Sequence, residues 1–141
     1  MADEITIRMS LHIKKGNLEF QNYPTAFTTD MTTGKGPSPG AVRVPTSGVD
    51  IYFTELTTPS WVWLHNLDTT NYVEWGIKDP QSVLFYPVGE LEPGESALFK
   101  FSRNLQEQYS GSGTGTTTPE NYFRLKANVA ACNVIVAAFE K

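Results

Sequence analysis

Between Glu4 and Lys15 apolar and polar residues alternate: Ile5, Ile7, Met9, Leu11 and Ile13 fall on one side, and Thr6, Arg8, Ser10, His12 and Lys14 on the other. Period two sustained over this stretch is the pattern of a half-buried β-strand, because a helix would scatter the same side chains around its axis. Gly16-Asn17 reads as a hairpin turn, with the return strand beginning at Leu18–Phe20. Short apolar segments follow at Ala41–Val44, Gly48–Leu56, Trp61–Leu64, Tyr72–Ile77, Val83–Tyr86, Ala97–Phe101, Tyr122–Ala127 and Val134–Phe139. Turn signals separate them, such as the Pro-Gly of LEPGES at 91–96, and none keeps helical spacing. The pattern predicts an all-β chain, an antiparallel β-sandwich of jelly-roll type with long polar loops.

The length of 141 residues suits a single domain spanning 1–141. Two stretches, 28–40 (TTDMTTGKGPSPG) and 110–119 (SGSGTGTTTP), lack apolar periodicity and read as flexible loops or arms. Within the first, Gly34, Lys35, Gly36, Pro37 and Pro39 are the candidate docking arm, since proline lowers the entropy lost when an extended segment binds.

The charge pattern bears on partners. Eleven basic and 15 acidic residues leave a net charge of −4, and the basic ones are scattered apart from Lys14-Lys15. Nucleic acid is therefore not expected as a partner, because phosphate binding needs clustered Lys and Arg. No apolar run approaches the roughly 20 residues of a membrane span, and the first residues lack the pattern of a secretory signal. The lone cysteine, Cys132, excludes an internal disulfide.

Catalytic chemistry finds little footing. His12 and His65 are the only histidines, and neither lies in a nucleophile motif. Glu90, Glu92 and Glu95 crowd a turn and read as surface acids rather than a glycosidase pair. Cys132 opens an apolar strand and reads as a small buried hydrophobe. Asn66, Asp68 and Asn71 offer oxygens to a calcium ion, but a calcium loop needs more acids and a closing Glu where this chain has Ile77. These three side chains are expected to shape a turn by bonding backbone. Neither an enzyme, a cofactor nor a metal is expected.

The three tryptophans concentrate in PSWVWLHNLDTTNYVEWGI, 59–77. Trp61 and Trp63 share one strand face while Val62 and Leu64 occupy the other, so both faces are apolar and both call for cover. Burying one Trp removes about 150–250 Å² from water, worth up to roughly 4–6 kcal/mol. The cover could be a loop, another copy, a partner protein or a stacked sugar ring. Trp61, Trp63, Tyr72 and Trp75 are therefore the candidate core or interface residues.

Taken together, TTPSWVWLHNLDTTNYVEWG, LEPGESALFKFS and the strand after AACNVIV resemble a family of small virion proteins of tailed bacteriophages. The resemblance rests on an ordered set: Glu4–Leu18 with its Gly-Asn turn, the loose Thr28–Gly40, the Asn66-Leu67-Asp68-Thr69-Thr70-Asn71-Tyr72-Val73 turn, the Leu91–Glu95 hairpin, and the closing strand of Ala130–Phe139. The stretch QYSGSGTGTTTPENY, 108–122, is longer than the family pattern. The resemblance implies a non-enzymatic structural role in the virion, made in the bacterial cytoplasm. Its most economical form is a capsid decoration (cement) protein that binds the major capsid protein as a homo-oligomer, with a trimer the first guess. A head–tail junction or tail component, or a carbohydrate-binding host-attachment module, are the alternatives.

Overall fold

A computed structural model describes residues 4–31, 33–53, 55–56, 59–79, 84–102 and 122–140. Twelve strands lie among them: β1 (Ile5–Ile7), β2 (Leu11–Lys15), β3 (Leu18–Asn22), β4 (Phe27–Thr29), β5 (Ser38–Val44), β6 (Val49–Ile51), β7 (Pro59–Asn66), β8 (Val73–Lys78), β9 (Phe85–Leu91), β10 (Ser96–Lys100), β11 (Tyr122–Ala127) and β12 (Cys132–Glu140). No helix occurs among the described residues. The 110–119 loop lies outside them.

The sequence drew one domain over 1–141, whereas the residues group into two compact units, Met1–Thr32 and Thr33–Lys141. The first unit holds two two-stranded antiparallel sheets, β1 with β4 and β2 with β3. The alternating run from Glu4 to Lys15 is thus two strands rather than one, because its halves bond to different partners: Ile5 faces Thr29, and Ile13 faces Phe20. Gly16 turns the second hairpin at φ 57°, in the left-handed region that glycine adopts without penalty.

The second unit is an antiparallel sandwich with sheet orders β10-β7-β12-β5 and β6-β11-β8-β9. Its eight strands pair first with last and inward in turn: β5 with β12, β6 with β11, β7 with β10, β8 with β9. That nesting is the jelly roll, a long hairpin folded over on itself. The core between the sheets joins Val62 and Leu64 of β7, Val134, Val136 and Ala138 of β12, Phe123 and Leu125 of β11, Val73 and Leu91, with Phe53 fully buried beside them. Phe53 and Phe101 meet edge to face at 5.8 Å between centroids.

The stretch read as a loose arm, 28–40, is not loose throughout. Thr28 and Thr29 lie in β4, and β5 starts at Ser38 rather than Ala41. Pro39 is admissible there because β5 is an edge strand, where a missing N–H breaks no ladder. The candidate docking arm is likewise tied down in part: the Glu140 amide donates to Lys35 O at 3.2 Å, and the Thr33 hydroxyl donates to the buried Glu140 carboxylate. Pro39 pairs with Ala137, and Gly36 lies so close to β12 that a Cβ there would sit 2.5 Å from the Phe139 ring.

The β8–β9 pairing is irregular between Trp75 and Gly76, and a Cβ on Gly76 would lie 2.0 Å from Tyr86 O. We expect Gly76→Ala to cost about 2–3 kcal/mol in urea unfolding, since backbone must move to admit it. Gly94→Ala, with open space but a φ of 79°, is expected to cost only about 1 kcal/mol.

Candidate interaction surface

The polar run after the Trp strand is organised by Asn66, which is fully buried. Its backbone N–H donates to Glu95 O at 3.0 Å and its carbonyl accepts from Gly94 N at 3.1 Å. Its Nδ2 donates to the carbonyls of Asn71, Leu91 and Glu92 at 2.9, 3.1 and 3.3 Å, while Oδ1 accepts from the Asp68 amide at 3.0 Å. One amide side chain therefore clamps the 66–71 loop against the β9–β10 turn. That turn has Pro93 and then Gly94 at positive φ, closed by Glu95 N to Glu92 O at 2.9 Å, which is type II chemistry. Glu95 also folds back to accept from the Glu92 amide at 2.8 Å.

Asp68 does the same on a smaller scale. Its Oδ1 accepts from the Asn71 and Thr70 amides at 2.6 and 2.8 Å, and from Asn71 Nδ2 at 3.3 Å. The Asn71 amide, followed by that of Thr70, favours the ionised carboxylate and lowers its pKa below the usual 3.8. Burial pushes the neighbouring Cys132 thiol up, and the Asp68 charge adds to the effect. Among the described residues no group of three or more His, Cys, Asp or Glu is placed to hold a metal.

The three tryptophans separate. Trp75 points inward with Val73 and Ile77, stacked on Phe99 at 4.8 Å with the rings nearly parallel. With Phe101, Phe123 and Val88 it lines a cavity of about 180 Å³ whose polar lining is Lys100 and Ser102. Tyr72 is half-buried just before β8, its carbonyl accepting from Asn128 N at 3.3 Å. Trp61 and Trp63 point the other way, outward from β7. Trp63 remains 41% exposed, and Lys100 Nζ stands 5.5 Å above the Trp61 ring.

Register shows what surrounds them. Across the sheet, Leu98, Trp63, Ala137 and Pro39 form one outward row; Ser96, His65, Ile135 and Ala41 form the next. Lys100, Trp61 and Phe139 form a third. In the phase of Trp61 and Trp63, β10 contributes Lys100 and β5 contributes Arg43, beside His65 of β7. The outer face of the other sheet is built differently. Asp50 bonds Arg124 at 2.7 Å and lies 3.4 Å from Lys78, and Lys126, Glu74 and Glu90 align across three strands.

Sequence reasoning found the Trp strand but missed Leu98, Ile135 and Phe139. The signal was present in CNVIVAAFE at 132–140, which is apolar on both faces as the Trp strand is. Compared with known proteins, the chain matches no protein-family model, no curated protein and no solved structure.

Replacing Asn66 by Ala removes the side-chain donor to the Leu91 and Glu92 carbonyls and the acceptor for the Asp68 amide, and we expect about 3 kcal/mol of destabilisation by urea unfolding. Asp68→Ala is expected to lower the melting temperature above pH 4. The difference should vanish as pH falls through the lowered folded pKa, because a carboxylate with a depressed pKa stabilises only while ionised. Added calcium is expected to leave the wild-type melting temperature unchanged.

Proposed function

We propose that this chain is a non-enzymatic structural protein of a tailed-bacteriophage virion, most economically a capsid decoration (cement) protein that binds the major capsid shell as an oligomer. The observation that carries the reading is the contrast between the two outer faces of the jelly roll. One centres on Asp50 bonded to Arg124 and Lys78; the other groups Trp61, Trp63, Leu98, Ile135 and Phe139, with Trp63 41% exposed among half-buried neighbours and Lys100 and Arg43 beside them. A grouped apolar surface of this kind marks a contact site. Its cations favour a partner surface with an apolar centre and acidic rim, and they disfavour packing this face against itself. The motif resemblance to small virion proteins supplies the setting, and the jelly roll is a scaffold used by capsid and lectin domains alike.

A second reading has an observation of its own. A tryptophan 41% exposed on a sheet face can stack against a sugar ring, as a carbohydrate-binding host-attachment module would require.

Copy number per virion, measured by quantitative mass spectrometry, tests the station. Hundreds of copies fit capsid decoration, whereas about a dozen would move the protein to the neck or tail. Trp63→Glu should leave the fold intact and weaken binding to empty shells at least ~100-fold. Undiminished shell binding by this variant, with loss of glycan binding instead, would overturn the cement reading in favour of the carbohydrate one.

A further inference from the structure

The first unit carries an apolar surface that the proposed function leaves unused. In the β2–β3 hairpin, Ile13 faces Phe20, Leu11 faces Asn22, and Lys15 faces Leu18, so Leu11, Ile13, Leu18 and Phe20 share one face. These four are 50%, 45%, 61% and 50% exposed. The opposite face is polar and internally bonded: Gln21 Nε2 donates to Glu19 Oε1 at 2.8 Å, and His12 lies 3.3 Å from Gln21 and 3.5 Å from Glu19. The hairpin is therefore fully amphipathic, yet among the described residues neither strand pairs with any third strand. A lone two-stranded hairpin is marginal in water; it needs more strands or an apolar partner.

We infer that the Leu11–Ile13–Leu18–Phe20 face is a self-association surface, occupied by the same face of a second copy of this chain. Charge selects that occupant. Lys15, at the turn end, is the only charged side chain on the face, so identical faces can meet without opposing like charges in their centre. The cation-rimmed Trp face lacks that property. Another copy also supplies the apolar cover that the hairpin lacks. At roughly 100 Å² per half-exposed large side chain, the four residues offer roughly 400 Å², about half of the ~800 Å² a standard interface takes from each partner, which is the scale of a small contact. Met9, two residues before Leu11 and 55% exposed, extends the same phase.

This inference rests on the oligomeric part of the proposed function and can fail separately from it. Sedimentation of the full-length chain is the test, with Ile13→Asp/Phe20→Asp on the apolar face and Lys14→Ser/Gln21→Ser on the polar face as control. Wild type and control are expected to be oligomeric at tens of micromolar. The apolar-face variant should dissociate, its self-association weakened at least ~100-fold. Its tryptophan emission, which reports only the second unit, should match wild type. An apolar-face variant that stays oligomeric would overturn the hairpin contact while leaving an oligomeric cement protein intact. A strictly monomeric wild type would overturn it too, and shell binding by that monomer would then decide the cement reading alone.

Discussion

Asn66 sits where the two most distinctive sequence motifs of the chain meet. The Asn-Leu-Asp turn and the Pro-Gly-Glu turn begin 27 residues apart, at Asn66 and Pro93, and a single buried residue bonds the backbone of both. Buried carbonyls and amides must find partners, and at this end of the sandwich that one side chain satisfies several at once. The end of β7, the start of β8 and the β9–β10 turn are thereby held in one arrangement. The direction in which β7 presents its tryptophans follows from that anchoring, since Asn66 and Trp61 occupy opposite phases of the same strand.

The phase of β7 sets the character of the sandwich. With Asn66, Leu64 and Val62 turned inward, Trp61, Trp63 and His65 must turn outward. The neighbouring strands repeat the choice, so that β10 and β12 set Leu98, Ile135 and Phe139 around the tryptophans. On the other sheet the outward phase falls on Asp50, Arg124, Lys78, Glu74 and Lys126. One fold thus carries a face centred on a charged cluster and an apolar face with Trp63 41% exposed at its middle.

Under the proposed reading, the two units divide the labour of assembly. The Trp face meets a different surface, and the hairpin face meets another copy. Linking several shell contacts in one oligomer would raise their joint strength through effective concentration without any single contact being strong. Both surfaces trade exposed apolar area for association, which is the driving force that folds the core as well.

Much of this was legible in the sequence. Alternation located nearly every strand, Gly16-Asn17 and Pro93-Gly94 located turns, and Trp61–Leu64 announced a strand apolar on both faces. Those features depend on neighbours two to four residues apart, where chain geometry alone dictates which side chains share a face. Partnership was not legible. Nothing local in Glu4–Lys15 says that its halves bond to different strands, or that prolines at 37–39 would run into an edge strand closed by residues near 138. Nor does spacing reveal that Trp75 stacks inward on Phe99 while Trp61 and Trp63 face out from another sheet. Hydrogen-bond ladders and core packing join residues far apart in the chain, so the strand pattern was set locally, and only the tertiary structure decided which apolar faces were buried and which were left open.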